Sequence, residues 1–257
     1  MATLSSNLSS GGVGTDTLKN IDRIVGGKDA DVFKNLVNGY TLDGGSGNEV
    51  DTVDYSGEAN TVNLTVNLQS NSANNGLTGG SSIQQNLVNI ENVIGGQGAD
   101  LITGDSRDNF LSGSEGNDIL SGGAGNDTAS YSDATSAVSI NLRTGVNTGI
   151  AAGDTYDSIE TLLGSIQNDT FVGDANGNGF HGNGGTDTID YSASSAAVRV
   201  NLTSNAVSGG DAQGDTLTSI EKVIGSADND TLSSSTSGHV LQGDSGDDLY
   251  IVNNAGV

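Results

Sequence analysis

Acidic and amide side chains recur at every ninth position between residues 95 and 130, in the string GGQGADLITGDSRDNFLSGSEGNDILSGGAGNDTAS. Each nine-residue phrase opens with glycine and carries Asp or Asn at its sixth position, at Asp100, Asn109, Asp118 and Asp127. Carboxylate and carbonyl oxygens are the ligands of Ca²⁺, which takes about six to eight of them, whereas Mg²⁺ demands strict octahedral geometry. The chain has no Cys and two His, which leaves little for Zn²⁺. The spacing therefore predicts several Ca²⁺ sites.

The same phrase returns in three other parts of the chain. Residues 164–190 and 225–251 each hold three copies, residues 26–43 hold two, and residues 44–54 hold one copy with two extra residues. Several of these sixth positions have a counterpart at a step of two phrases further along the chain. The pairs at that step are Asp100 with Asp118, Asn109 with Asp127, Asp169 with Asp187 and Asp230 with Asp248; Asp31 pairs with Asp51 across the two extra residues.

A longer repeat encloses these arrays. In four segments, which begin at Gly11, Gly80, Gly149 and Gly210, a nonapeptide is followed by six residues of the form Ser/Asn–Ile–acid–x–x–apolar. Between the arrays lie alternating segments such as VRVNL and VSINL, a pattern typical of strands. We interpret the chain as one continuous piece of a longer protein, 1–257, with repeats 11–79, 80–148 and 149–209 and a truncated repeat 210–257.

The elements that must position these side chains follow from the phrase itself. Its first six residues are rich in Gly, Asn and Ser, which suit turns, and its last three suit a short strand with one inward apolar residue. Two phrases make one coil, and stacked coils form an all-β parallel solenoid. We expect a right-handed β-roll in a single elongated rod, with a thin core of residues such as Ile102, Leu120, Phe171, Phe180 and Leu241.

Stacking brings carboxylates together. Asp100 would lie over Asp118, and two carboxylates about 5 Å apart repel by about 3 kcal/mol at an effective dielectric constant near 20. Several such contacts would overcome the usual stability of a domain, about 5–15 kcal/mol. A divalent cation between successive coils converts that repulsion into binding.

Composition excludes several functions. The formal net charge of -24 disfavours nucleic acids and anionic membranes as partners and favours cations. No apolar run approaches the length of a membrane span, and the absence of Cys excludes disulfides. The metalloprotease motif H-E-x-x-H and the hydrolase motif G-x-S-x-G are both missing, so we expect no catalytic residues in this piece. We expect a monomer that binds calcium ions and does not insert into membranes.

The phrase resembles the glycine-rich G-G-x-G-x-D-x-apolar-x nonapeptide of RTX proteins, the hemolysin-type calcium-binding β-rolls, most closely at 95–103, 113–121 and 122–130. The resemblance implies that one turn supplies the carbonyls of its second and fourth residues and its sixth side chain. The turn two phrases later supplies its first and third carbonyls and its own sixth side chain. The implied ligands are Gly96, Gly98, Asp100, Asn109, Gly113, Glu115, Asp118, Gly122, Ala124 and Asp127; Ser165, Gln167, Asp169, Gly182, Gly184 and Asp187; and Ser226, Asp228, Asp230, Gly243, Ser245 and Asp248, with Asp31 and Asp51 as a further pair.

The six-residue segments suggest longer ladders. If each replaces one half-coil, the carboxylates on either side of it fall on the same edge. The predicted ladders are Asp16–Asp31–Asp51, Asp154–Asp169–Asp187 and Asp215–Asp230–Asp248. In the second long repeat Gln85 replaces the first Asp, so that site should be weak or empty, and His239 at a sixth position should bind nothing.

Two sets of residues keep more than one interpretation. Tyr55, Tyr131 and Tyr191 recur in Tyr-Ser phrases and serve either as packing residues or as a sugar-binding platform. The acid after Ile in each six-residue segment (Asp22, Glu91, Glu160 and Glu221) is an extra ligand, a solvated corner or a backbone cap.

The resemblance and the charge together predict a non-catalytic module that folds when it binds Ca²⁺, part of a large secreted or cell-surface bacterial protein. RTX proteins generally leave the cell by type I secretion. Two alternatives stay open: a structural spacer of an adhesin or surface-layer protein, and the repeat region of a secreted enzyme whose catalytic domain lies outside residues 1–257.

Overall fold

The computed structural model describes residues 4–5, 22–34, 39–57, 63–74 and 84–252. Asp16, the first residue of one predicted ladder, lies outside them. The chain forms two compact units, one of residues 1–128 and 155–159 and the other of residues 129–154 and 160–257. A single continuous rod stays a prediction.

Short parallel strands dominate both units. The first unit contains β1 Leu4–Ser5, β2 Arg23–Val25, β3 Val32–Lys34, β4 Thr41–Asp43, β5 Thr52–Asp54, β6 Thr65–Asn67, β7 Ser72–Asn74, β8 Gln84–Val88, β9 Asn92–Ile94, β10 Leu101–Thr103, β11 Phe110–Ser112, β12 Ile119–Ser121 and β15 Thr155–Asp157. β13 Thr128–Ser130 begins in the first unit and ends in the second. The second unit contains β14 Ser139–Asn141, β16 Thr161–Leu163, β17 Thr170–Val172, β18 Gly179–His181, β19 Thr188–Asp190, β20 Arg199–Asn201, β21 Ala206–Ser208, β22 Thr216–Thr218, β23 Lys222–Ile224, β24 Thr231–Ser234, β25 Val240–Gln242 and β26 Leu249–Val252, with two one-turn 3-10 helices, Gly149–Ala151 and Gly210–Ala212.

The register between strands confirms that two phrases make one coil. Ile102 is opposite Leu120 where β10 pairs with β12, and Phe171 is opposite Ile189 where β17 pairs with β19, both in parallel. In the first unit one sheet has the order β1-β2-β4-β8-β7-β6-β10-β12-β15 and the other runs β3-β5-β9-β11. In the second unit the orders are β14-β17-β19-β23-β25, β16-β18-β22 and β21-β20-β24-β26. The predicted all-β parallel solenoid is confirmed, while the right-handed sense of the coils stays a prediction.

The core is one side chain deep on each strand, as the phrase predicts. The middle residue of each triad points inward, and Ile102, Leu111, Leu120, Phe171, Phe180, Ile189 and Leu232 are buried, whereas Leu241 is half-buried. The rings of Phe171 and Phe180, on successive half-coils, have centroids 5.6 Å apart. Such a thin core explains how a chain with 33% hydrophobic residues can fold into regular strands.

The alternating segments between the arrays form hairpins within the parallel stack. Strands β6, β14 and β20 come from them, as predicted. β6 pairs antiparallel with β7, β20 pairs antiparallel with β21, and Ser139 next to Thr148 forms an antiparallel bridge. The first insertion therefore places β6 and β7 between β8 and β10, whereas β14 and the β20–β21 hairpin lie at the ends of their sheets.

Candidate calcium sites

The sixth-position side chains of stacked turns contact one another through a repeated hydrogen bond. The backbone N–H of the residue in the earlier turn donates to Oδ1 of its partner in the later turn. The donor-to-acceptor distances are 2.7 Å for Asp100 to Asp118, 2.8 Å for Asn109 to Asp127, 2.7 Å for Asp169 to Asp187, 3.0 Å for Asp230 to Asp248 and 2.8 Å for Asp31 to Asp51. The structure thus brings together every pair that the two-phrase step predicts.

The earlier turn of a pair donates a hydrogen bond to its own sixth-position carboxylate. The N–H at its second position donates to Oδ2 of its sixth residue, at 2.7 Å from Gly96 to Asp100 and at 2.6 Å from Ser165 to Asp169. Ser226 makes the same bond to Asp230. This bond fixes Oδ2 at the mouth of the turn.

The later turn has a different backbone. Its second residue has positive φ, at 65° for Ser114, 72° for Asn183 and 62° for Asp244, so its N–H points away from the carboxylate. Asp187 is fully buried, and no donor among the described residues reaches its Oδ2. A buried carboxylate oxygen without a donor is costly unless a cation approaches it. The alternation of two turn types was not predicted; the Asn and Asp at two of these positions, which tolerate this conformation, were the available signal.

Glycines allow backbone carbonyls to come close to the carboxylates. A Cβ atom added to Gly95 would lie 2.6 Å from both the Gly113 carbonyl oxygen and Oδ2 of Asp100. A Cβ on Gly164 would lie 3.0 Å from the Gly182 carbonyl oxygen and 2.4 Å from Oδ2 of Asp169. The first-position carbonyl of the later turn therefore lies beside the carboxylate of the earlier turn, as predicted for Gly113, Gly182 and Gly243.

The fourth-position carbonyl of the earlier turn faces a glycine of the later one. A Cβ on Gly116 would lie 2.1 Å from the Gly98 carbonyl oxygen, and one on Gly185 would lie 2.4 Å from that of Gln167. Asp228 stands in the same relation to Gly246. The remaining implied carbonyl donors lie in the same turns and stay predicted ligands: Gly96, Ser165, Ser226, Glu115, Gly122, Ala124, Gly184 and Ser245.

Side chains alone cannot make these sites. Within residues 22–34, 39–57, 63–74 and 84–252, no three His, Asp or Glu side chains group closely enough to hold a metal ion. A Ca²⁺ ion would bind two sixth-position side chains and complete its shell with main-chain carbonyls, which Ca²⁺ accepts readily. The donor set is all oxygen and fits that ion.

Residues 94–129 match, in four copies, the family model of the RTX calcium-binding nonapeptide repeat. This segment is an array of RTX calcium-binding repeats. It contains the pairs Asp100–Asp118 and Asn109–Asp127, so the resemblance inferred from the sequence is confirmed there. No curated protein matches the chain. Outside the segment that matches the RTX model, the pairs Asp169–Asp187 and Asp230–Asp248 form the same hydrogen bond from N–H to Oδ1.

Two of the predicted three-carboxylate ladders are wrong. Strand β22, which Asp215 precedes, pairs with β18, whereas β24, which Asp230 precedes, pairs with β20. Asp215 accepts the N–H of Asn178, and Asp230 accepts the N–H of Val198. The cause is the insertion, because β20 occupies the place next to β24 that the spacing argument gave to β22.

The same displacement separates Asp154 from the pair Asp169–Asp187. β15, which Asp154 precedes, pairs with β12, whereas β17 pairs with β14. Oδ1 of Asp169 accepts the N–H of Val138, the residue before β14. In both places a residue of the insertion takes the position expected for the first Asp of the ladder.

The glutamates of the six-residue segments continue the carboxylate columns instead. Oε2 of Glu91 accepts the N–H of Asp51 at 3.0 Å, and Oε2 of Glu221 accepts the N–H of Asp187 at 2.9 Å. Each six-residue segment keeps its three-residue strand and loses three turn residues. The longer Glu side chain spans the distance that the missing turn residues leave. Both glutamates cap a backbone N–H, one of the interpretations left open, and an additional role as calcium ligands stays a prediction.

The site at Asn109 differs from the others in charge. Oδ1 of Asn109 accepts the N–H of Asp105 at 2.7 Å, where other turns place a carboxylate oxygen. Nearby, the Arg107 guanidinium contacts Glu91 and Asp105. The Asn109–Asp127 pair therefore carries one carboxylate and should bind Ca²⁺ more weakly than Asp100–Asp118.

Without a cation the columns resist ionisation. Burial raises the pKa of Asp187 to about 7; the N–H of Asp169 opposes this rise, and the charges of Asp169 and Glu221 add to it. Burial likewise raises the pKa of Asp51 to about 6, with further increases from the charges of Glu91 and Asp31. Ca²⁺ therefore competes with protons at Asp187 near neutral pH and at Asp51 at lower pH.

The stability of the calcium-free chain should fall as pH rises from 5 to 8. Because the folded pKa values of Asp51 and Asp187 lie above the usual aspartate value of 3.8, the folded state binds more protons than the unfolded state in this range. That contribution is complete below pH 3.8 and is lost as pH passes through about 6 and 7. Far-ultraviolet circular dichroism in calcium-depleted buffer, followed from pH 5 to pH 8, measures it as a loss of the folded fraction. Greater stability at pH 8 than at pH 5 would contradict the assignment, and D187N should flatten the profile.

Proposed function

We propose that the chain is a non-catalytic, Ca²⁺-binding module whose folding depends on the ion. The observation that carries this proposal is the buried Oδ2 of Asp187, which has no donor among the described residues, in a turn stacked on the Asp169 turn. Carboxylate and main-chain carbonyl oxygens converge at such pairs, and a dication would satisfy the oxygen that has no donor. The RTX match over residues 94–129 supports Ca²⁺ as that ion.

The charge of the whole chain supports a dependence of folding on calcium. Because the chain has 32 acidic and 8 basic residues, repulsion between its negative charges favours an expanded state when calcium is absent. Extracellular Ca²⁺-binding modules bind the ion with dissociation constants of about 10⁻⁴–10⁻³ M. Because the ion binds only the folded state, its binding free energy stabilises that state against unfolding. The module would therefore stay extended in calcium-poor cytosol and fold at about millimolar Ca²⁺ outside the cell.

This behaviour suits a secreted or cell-surface bacterial protein that crosses the envelope unfolded, and we propose type I secretion as its route. The family of the matched segment supports the proposal, since RTX repeat proteins are usually secreted. Among the described residues, no helix is long and apolar enough to span a membrane.

The ion count of the purified chain tests the binding function. At limiting Ca²⁺ we expect wild type to bind several ions and D187N to bind one fewer, because Asn keeps the shape of the side chain but loses the charge and so weakens the site, as Asn109 does in its pair. D190N is the matched control: Asp190 is only three residues away, but its Oδ1 accepts the N–H of Ser192 outside the turn. Native mass spectrometry in calcium counts the ions, and a wild-type count of zero refutes the function.

A further inference from the structure

Three tyrosines take the place of the first glycine in a turn. The N–H of Gly95 donates to the carbonyl at the end of the neighbouring strand, Ser112, at 2.8 Å. Tyr55, Tyr131 and Tyr191, which open the three Tyr-Ser phrases, make the same bond, to Ile94 at 2.8 Å, Leu163 at 2.8 Å and Ile224 at 2.9 Å. Each tyrosine therefore begins a turn that is in register with the stack but carries a large side chain.

Each of these side chains is directed inward. Tyr55 and Tyr131 are 0% exposed and Tyr191 is 1% exposed, which excludes a sugar-binding platform and confirms that they pack in the core. Their hydroxyl groups donate to Oε1 of Gln85 at 2.6 Å, Oδ2 of Asp154 at 2.7 Å and Oδ2 of Asp215 at 2.7 Å. The three acceptors are the sixth-position residues of the nonapeptides that open the second, third and fourth long repeats.

The tyrosine hydroxyl group donates to Oδ2, the carboxylate oxygen that would contact the ion in the stacked pairs. Oδ1 of Asp215 accepts the N–H of Asn178 at 2.8 Å, as Oδ1 does in every stacked pair. Its Oδ2 accepts the hydroxyl of Tyr191, whereas Oδ2 of Asp187 meets no donor among the described residues. Gly173, next to this bond, lies against both partners: a Cβ there would be 3.5 Å from Oδ2 of Asp215 and 3.5 Å from the Tyr191 ring.

The repeats contain their own test of whether charge is needed. Where the third and fourth repeats have Asp154 and Asp215, the second has Gln85, which is neutral yet accepts the same hydrogen bond from Tyr55. A metal ligand would lose most of its affinity on that exchange, whereas an acceptor for a hydroxyl group would lose little.

We propose that Tyr55–Gln85, Tyr131–Asp154 and Tyr191–Asp215 are metal-free clamps that close each long repeat, and that Asp154 and Asp215 are not calcium ligands. A tyrosine hydroxyl does at these positions what Ca²⁺ does between paired nonapeptides. Among the described residues, the ions would then bind at the stacked pairs Asp31–Asp51, Asp100–Asp118, Asn109–Asp127, Asp169–Asp187 and Asp230–Asp248. The part of this proposal that concerns ions rests on the proposed calcium function.

The ion count of D215N tests the assignment of Asp215. At limiting Ca²⁺ we expect D215N and D154N to bind as many ions as wild type, while D187N binds one fewer, by native mass spectrometry of the full chain. An asparagine can still pair with Tyr191, because a tyrosine hydroxyl both donates and accepts. The loss of one ion in D215N would overturn the proposal.

The melting temperature of Y191F tests the clamp without reference to the ion. We expect a fall of about 5 °C, both with Ca²⁺ and with chelator wherever the chain melts cooperatively, because a buried carboxylate loses its donor. The double variant Y191F/D215N should lose less than the sum of the two single losses. An unchanged melting temperature in Y191F, or additive losses, would overturn the clamp. A wild type that binds no ion would refute the calcium function alone, because the melting experiments still decide on the clamp.

Discussion

Removal of calcium at pH 7.5 should abolish the β-sheet circular dichroism of this chain, and about 1 mM Ca²⁺ should restore it. The calcium-free chain combines a net charge of -24 with stacked carboxylates whose pKa values burial raises, such as Asp51 and Asp187. The free energy of several bound ions is the term that would stabilise the fold against this repulsion. A far-ultraviolet titration with Ca²⁺ after exhaustive chelation measures the transition.

Magnesium at the same concentration is the control for charge screening. Mg²⁺ screens as well as Ca²⁺ but demands octahedral geometry and keeps its water, so it should restore far less structure. Full recovery in Mg²⁺ would show that the columns need ionic strength and not a specific ion. A spectrum that is the same in chelator and in calcium would contradict the folding switch altogether.

The substitution G185A should destabilise the calcium-loaded chain by about 3 kcal/mol or more, because two costs combine. Gly185 has a φ of +116°, which costs an L-residue about 1–2 kcal/mol. The added Cβ would also lie 2.4 Å from the backbone carbonyl oxygen of Gln167, a predicted ligand of the Asp169–Asp187 site. Backbone cannot rotate out of the way as a flexible side chain can, so the turn must shift and the site must lose affinity.

The matched control for this substitution is G238A. Gly238 has a similar φ of +94°, but a Cβ there would meet nothing within 4 Å. We expect a loss of about 1 kcal/mol and no loss of an ion. Urea unfolding at saturating calcium compares the two variants. Equal losses would mean that the close approach of Gly185 to Gln167 has no role in the site.

The nonapeptide was informative because its physics is local. A glycine-rich turn, an inward apolar residue and a carboxylate at a fixed step are enough to predict the coil, the parallel register and the pairs such as Asp100–Asp118. Each of these features depends only on residues that lie within two phrases of one another, so a sequence of one chain contains them.

The insertions were not predictable in the same way. Nothing in the spacing of Asp215 and Asp230 indicates that β20 would lie beside β24, because that contact depends on where a long segment returns to the stack. The role of Tyr191 was hidden for the same reason: its acceptor, Asp215, is 24 residues away across the hairpin. The glutamates at positions 91 and 221 were recognised as unusual, but only the geometry shows that side-chain length replaces turn length.

The sharing of each site between turns of successive coils has a mechanical consequence. An ion at Asp169–Asp187 would join two neighbouring coils and nothing beyond them, so it would act as a local cross-link between adjacent coils. Tension along the chain would then break one cross-link at a time. Each rupture would release the chain of one coil, which is about 60 Å long when fully extended. The array would yield stepwise under load, and each step would reverse as the layer closed again around its ion.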